Sequence, residues 1–237
     1  MVAALEREVR GLVQDWRVSQ REAGGRRFRF FEKDDFVLVC GGVGAEPARR
    51  AAEAVIALYA PKVVYSVGFA GGLDPGFKVG DILQPLRVVN ASDGSSLTLD
   101  RGQGVLVSFG SVAGPAQKAS LRDSFAAQAV DMEAAAVARA AEARGVGFAV
   151  VKVISDEFDF DFDFPSMERF VDRNGRFLEV RFALFAALRP WLWPRVARLA
   201  RNSRRASRAL CESLRKLPRE SRATGSSVSA MEAVDHP

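Results

Sequence analysis

Ala129-Val130-Asp131-Met132-Glu133-Ala134-Ala135-Ala136-Val137-Ala138, followed closely by Val150-Val151-Lys152-Val153-Ile154-Ser155-Asp156, is the part of this chain whose reading decides the fold. The first stretch starts as a short apolar run and becomes alanine-rich, and alanine is the strongest helix former. The second is a β-branched run without polar alternation, the pattern of a strand covered on both faces. Strand, helix and buried strand in succession predict an α/β sheet. Each stretch also delivers a carboxylate to the end of a strand, Glu133 at the helix start and Asp156 after the second run. Two acids placed in this way suggest a site for a polar small molecule.

The same alternation extends outward on both sides. Met1 to Ala4 reads as a short strand, and Leu5 to Trp16 as a helix with Leu5, Val9, Leu12, Val13 and Trp16 near helical spacing. Arg26 to Phe31 and Phe36 to Cys40 read as strands. A helix from about Pro47 to Tyr59 ends at Pro61. Strands are expected at Lys62 to Val67, from Val79, at Val105 to Ser108, at Gln128 to Asp131 and at Phe148 to Ile154, with helices at Gln117 to Phe125 and Glu133 to Arg144. The expected fold is one α/β domain, a twisted mixed sheet flanked by helices, over residues 1–188. Phe170 to Leu188 reads as helical. Residues 189–217 read as a basic amphipathic helix, and 218–237 as a disordered tail.

Composition narrows the chemistry. The single histidine is His236, so a Ser-His-Asp triad, a Cys-His pair and a histidine metal site are not expected. Cys40 and Cys211 are the two cysteines, with no metal-ligand spacing, which fits a reducing compartment. Acid–base work falls to carboxylates. No metal and no cofactor are expected, with phosphate as the one candidate co-substrate. No signal peptide and no apolar run long enough to span a bilayer are seen, so a cytoplasmic protein is expected. The net charge of +5 is uneven: residues 189–222 carry +9 and the rest −4. The basic character belongs to the C-terminal segment.

Four segments carry the candidate chemistry. Gly41-Gly42-Val43-Gly44 joins a strand to a helix, and Ser66-Val67-Gly68-Phe69-Ala70-Gly71-Gly72-Leu73 follows another strand. Each alone is readable as a compact turn; together they leave backbone amides open to a ligand. Glu133 is either a helix-start acid or a carboxylate accepting hydrogen bonds from a vicinal diol, with Met132 as an apolar contact. Asp156, after Ser155, is either a cap or a carboxyl kept protonated by an apolar setting and able to protonate a leaving group. The alternating run Phe158 to Phe164 is either an edge strand or a loop that drops phenylalanines over the pocket.

Val-Asp-Met-Glu-Ala with Ile-Ser-Asp, in that order, resembles the purine nucleoside phosphorylase superfamily over roughly residues 1–160. Ala4-Leu5-Glu6-Arg7-Glu8-Val9 is similar to the start of the methylthioadenosine/S-adenosylhomocysteine nucleosidases. The phrase Ser66 to Pro75, with Asn174-Gly175-Arg176 and Arg189-Pro190, is closer to the hopanoid-associated phosphorylases. The resemblance implies a homodimer that cleaves the N-ribosidic bond of a purine nucleoside. It implies that Asp156 protonates the purine at N7, that Glu133 holds the ribose hydroxyls with Met132 packed on the sugar, and that Glu8 positions the attacking water. Ser155, Phe69, Gly71 and Val112 fall at substrate-binding positions. Phe69 stands where nucleosidases carry a small hydroxyl residue, and Val112 where many members stack a phenylalanine on the purine.

Two questions stay open at this level. Hydrolysis is favoured by Glu8, which repels phosphate, and by the lack of the Gly-Asp-Pro-x-Arg phosphate motif; the hopanoid likeness and a cradle of Arg7, Arg10 and Arg49 favour phosphorolysis. The basic helix either packs on the domain or lies on an anionic membrane at the inner face, tryptophans inserted, as would suit a lipid-borne nucleoside such as adenosylhopane. Nucleic acid is not an expected partner, since no recognition module accompanies the charge. The alternative function is a non-catalytic nucleoside-binding protein with a membrane-associating tail.

Overall fold

The computed structural model describes residues 1–160 and 189–223, with Phe170, Leu178, Arg181 and Phe185 between them. Its strands are β1 (Val2–Ala3), β2 (Arg17–Ala23), β3 (Arg26–Lys33), β4 (Phe36–Cys40), β5 (Val63–Gly72), β6 (Ile82–Leu83), β7 (Arg87–Asn90), β8 (Ser96–Thr98), β9 (Val105–Ser108), β10 (Ala129–Asp131) and β11 (Gly147–Asp156). The helices are α1 (Glu6–Val13), α2 (Ala45–Tyr59), α3 (Pro115–Phe125), α4 (Ala134–Glu142) and α5 (Trp193–Ala223). They flank one mixed sheet in the order β2-β3-β4-β1-β5-β10-β9-β7-β8, with β11 paired to β5 and β6. The expected architecture, a mixed sheet flanked by helices with a helical C-terminal extension, is the one observed.

β5 is the branch point of the sheet. Its length pairs in parallel with β11, and its end turns to pair antiparallel with β10 through Gly71↔Val130 and Gly72↔Ala129. β1 joins its other edge through Val2↔Ser66. A strand with partners on both edges and helices on both faces is mostly apolar, and Val64, Val67 and Ala70 are all buried, with Ser66 the buried polar residue among them.

The alanine-rich helices form one layer. Ala48, Ala51 and Ala52 of α2 are buried in the same cluster as Val137, Ala140 and Ala141 of α4. Small side chains let the two helix backbones approach closely. α5 closes the opposite face: Ala206, Leu210, Cys211 and Leu214 are buried against Val9, Leu12 and Val13 of α1. Burying a leucine such as Leu210 contributes about 1.5–3 kcal/mol. Packing on the domain, one of the two expectations for the basic segment, is thus seen for its inner face.

Several elements differ from expectation. α1 ends at Val13 rather than Trp16, and β6 is two residues long. β2, β7 and β8 went unread. β2 was legible: Gly24 and Gly25, both with left-handed backbone (φ 56° and 70°), make the two-residue hairpin turn that pairs β2 with β3. α5 begins at Trp193 after a short 3₁₀ turn, Pro190–Leu192, and runs past Leu217 to Ala223. Of the expected helix Phe170 to Leu188 only Phe170, Leu178, Arg181 and Phe185 are described, and the segment 161–164 and the tail from 224 lie outside the described residues. Phe158 and Asp159 form a turn, and Phe160 is buried.

Candidate active site

A cavity of about 590 Å³ opens at the end of β5, a size suited to a small-molecule ligand. Asp156, Glu8, Glu133 and Met132 line it, and so do Ser155, Phe69, Gly71 and Val112. Residues read from five separate places in the sequence therefore meet at one site. Register explains the meeting. Gly71 pairs with Val130, the neighbour of Asp131, and also with Asp156 on the other side. Both acid-bearing strand ends are thereby fixed to one glycine.

Ser155 is the extra residue of a bulge, since Ile154 pairs with Ala70 and Asp156 with Gly71. Bulges re-aim side chains beside sites. Here Ser155 Oγ donates to Asp156 Oδ1 at 2.6 Å. A Cβ on Gly71 would lie 2.9 Å from Asp156 Oδ2, so a larger residue there would displace the carboxylate. Gly68 does the same for Glu8, whose Oε2 would be 2.7 Å from an added Cβ.

The apolar setting expected for Asp156 is not what surrounds it. Lys118 of α3, only 1% exposed, donates from Nζ to Asp156 Oδ2 at 2.5 Å and to the Glu157 carbonyl at 2.6 Å. Asp156 is half of a buried ion pair. A second buried cation, Lys152 of β11, lies beneath Glu133: its Nζ is 2.8 Å from Asp131 Oδ2 and 3.9 Å from Glu133 Oε2. Burial would lower the Lys152 pKa, but Asp131, Glu133 and Glu8 outweigh it and hold the ammonium above its ordinary value.

Asp131 also lines the cavity, with its carboxylate oxygens engaged by neighbouring groups. Its Oδ2 accepts from the Ala134 N–H at 2.8 Å, capping α4, and its Oδ1 accepts from Ser108 Oγ at 2.6 Å. Glu133 Oε1 accepts from the Gly44 N–H at 2.9 Å and Oε2 from the Met132 N–H at 3.3 Å. The Gly41–Gly44 turn therefore serves to anchor Glu133. Burial raises the Glu133 pKa, Lys152 opposes it and Asp131 adds to it. Glu8 is buried beside them with Oε2 lacking a hydrogen-bond partner among the described residues. Burial first, then the Glu133 charge, push Glu8 up to about 8 against the pull of Lys152 and Arg7.

The sequence reading missed both lysines. Lys152 left a signal, a lone charge inside a β-branched run, which is tolerated in a buried strand only when paired. Lys118 left none, because α3 is of mixed composition and only Lys118 and Leu121 of its residues are buried. The reading also missed that α5 supplies a wall: Val196, Leu199 and Ala200 line the cavity, with Ser203 and Arg204 beyond them. Of the three arginines expected to cradle phosphate, Arg7 lines the cavity. Arg49 is committed to Glu53 at 2.5 Å and to Glu46 at 2.8 Å, and Arg10 does not reach the cavity, because both lie on exposed helix faces. Among the described residues, no group of three or more His, Cys, Asp or Glu is arranged to hold a metal ion.

With this fold and site, the chain belongs to the Phosphorylase superfamily, whose family model matches residues 1–111 and 103–187. Among individual proteins it is similar to the 5′-methylthioadenosine/S-adenosylhomocysteine nucleosidase of Marinomonas sp. (strain MWYL1), at 30% identity over 94 residues, 38% of this chain. That alignment spans 40% of the relative's length. The structure of Helicobacter pylori 5′-methylthioadenosine/S-adenosylhomocysteine nucleosidase with butyl-thio-DADMe-Immucillin-A superimposes with TM-score 0.68 at 17% identity, covering 92% of this chain and 96% of that one. The Colwellia psychrerythraea nucleosidase with adenine gives TM-score 0.58 at 22% identity, covering 67% and 82%. Futalosine hydrolase of Helicobacter pylori strain 26695 gives 0.57 at 19%, covering 65% and 85%. These structural likenesses show the shared fold.

Proposed function

We propose that the protein is an enzyme that cleaves the N-ribosidic bond of a purine ribonucleoside modified at the 5′ position. The observation that carries this reading is the convergence of Glu8, Glu133 and the Asp156–Lys118 pair on one cavity. Its three carboxyl-bearing corners suit the three parts of the reaction. Loss of the base leaves an oxocarbenium-like sugar, which carboxylates stabilise, and the base leaves best when protonated. Glu133 accepts from the ribose hydroxyls through lone pairs that Gly44 and Met132 leave open. Met132 packs on the sugar, while Phe69 and Val112 contact the base. Asp156 faces the leaving purine. Glu8, poised near neutral pH, takes the proton of the attacking water.

Hydrolysis is the reaction proposed. Of the three arginines read as a phosphate cradle, Arg7 lines the cavity while Arg10 and Arg49 stand outside it, so the cradle is not assembled. The relatives named for methylthioadenosine, S-adenosylhomocysteine and futalosine cleavage support the nucleoside class. The apolar wall of Val196, Leu199 and Ala200 fits an apolar 5′ substituent. Incubation with methylthioadenosine, S-adenosylhomocysteine, adenosine and inosine, with and without phosphate, tests both points. Free ribose sugar with base release supports hydrolysis, ribose 1-phosphate replaces it with phosphorolysis, and absence of base release from all four sinks the reading. A homodimer is proposed as well, to be measured by light scattering.

A second proposal concerns the outer face of α5. Trp191, in the turn before α5, and Trp193, at its start, are 71% and 56% exposed, and Arg195, Arg201 and Arg208 are exposed along the helix. That face suits peripheral contact with an anionic membrane. No helix among the described residues is long and apolar enough to cross one.

A further inference from the structure

Lys118 is a buried charge to which the reaction as drawn gives no task. Its side chain is 1% exposed and it is the one buried polar residue of α3. Placing an ammonium there costs several kcal/mol of desolvation, and a buried ion pair is often no more stabilising than apolar residues of the same volume. Stability therefore does not account for it. Location does: of all carboxylates in the protein, Lys118 meets the one that faces the leaving base.

An ammonium has three N–H donors. Two are used, on Asp156 Oδ2 at 2.5 Å and the Glu157 carbonyl at 2.6 Å. The Glu157 contact gives Nζ a second fixed partner, and Ser155 Oγ fixes the carboxylate in turn at 2.6 Å. The carboxylate is thus held between a proton-bearing group and the cavity that Lys118 itself also lines.

We propose that the proton departing with the purine is stored on Lys118 and passes through Asp156. The inference rests on the nucleoside-cleaving reading. As the C1′–N9 bond breaks, its electron pair goes to the base. Asp156 first takes a proton from Lys118 on Oδ2 and then gives that same proton to N7. The purine leaves neutral, Asp156 is again a carboxylate, and Lys118 is left as a neutral amine that solvent reprotonates. Water adds to the sugar cation and gives its proton to Glu8. Asp156 relays, so it needs no protonated resting form and no apolar surroundings.

The test is Lys118→Ala in the full chain, assayed on whichever of methylthioadenosine, S-adenosylhomocysteine, adenosine or inosine the unaltered protein cleaves best. The expected result is a loss of kcat of about 10²-fold or more, the worth of one general acid. Added methylammonium should restore turnover by about tenfold or more, and tetramethylammonium, a cation without an N–H, should not. Equal rescue by both ions overturns the proposal, because only charge would then be required. So does turnover of Lys118→Ala within about threefold of the unaltered protein. If Lys118→Ala does not fold, Lys118→Gln offers two N–H donors of similar polarity without a transferable proton; a similar loss with an unchanged thermal transition supports the relay, and near-normal turnover refutes it. Absence of cleavage by the unaltered protein instead strikes the nucleoside-cleaving reading itself.

Discussion

Lys118 Nζ lies 2.5 Å from Oδ2 of Asp156, and both side chains are buried. The pair sits where β11 ends and the cavity begins, so the carboxylate is held in place from behind. Asp156→Asn keeps the size of the side chain and removes its ability to carry a proton. Base release should fall by about 10²-fold or more, while circular dichroism and the thermal transition show a folded protein. Full activity in this variant would refute the role given to Asp156.

Lys152 is a structural counterpart to Lys118. It neutralises Asp131 at 2.8 Å and faces Glu133 at 3.9 Å. Lys152→Met removes the cation and leaves buried carboxylates uncompensated. The expected cost is about 3–5 kcal/mol, read as a lowered midpoint in urea. A midpoint within experimental scatter of the unaltered protein would contradict this.

Glu8 ties stability to pH. Its folded pKa, about 8, lies above the ordinary value of 4.5, so the folded state binds the proton more tightly. The resulting stabilisation is fully present below about 4.5 and is lost as pH rises through about 8. Glu8→Gln abolishes the titration. That variant should lose activity and yet show a flatter dependence of Tm on pH between 5 and 8.5, in the range set by that linkage. Identical Tm–pH curves for the two proteins would refute the assignment.

The outer face of α5 makes a separate prediction. Trp191→Ala with Trp193→Ala should weaken binding to vesicles containing anionic lipid, with nucleoside cleavage unchanged, because neither tryptophan lines the cavity. Co-sedimentation measures it. Binding that is the same with and without the tryptophans removes the proposal.

Much of this was legible in the chain. The alanine-rich segment after Met132 and the β-branched run before Ser155 made α4 and β11 readable, because helix propensity and strand burial are local properties. The eight candidate residues were located as well, and all line one cavity. β7 and β8 were not read: their four and three residues are interrupted by polar side chains such as Arg87, Asn90, Ser96 and Thr98, whereas the equally short β9 and β10 stand out as apolar runs. Asp156 shows the limit most clearly. The phenylalanines that follow it in sequence suggested an apolar setting, but its actual neighbour is Lys118, thirty-eight positions earlier.

The sequence by itself determined the α/β architecture and the superfamily wording around Glu133 and Asp156, and its single histidine, His236, steered the expected chemistry toward carboxylates. Only the tertiary structure decided how those carboxylates are paired. Gly71 of β5 pairs with both β10 and β11, and that register sets Glu133 over Lys152 and Asp156 against Lys118. α5 then adds a wall from the far end of the chain. Local pattern fixes what each segment becomes; the charge facing a buried carboxylate depends on contacts between distant segments, and no local pattern encodes it.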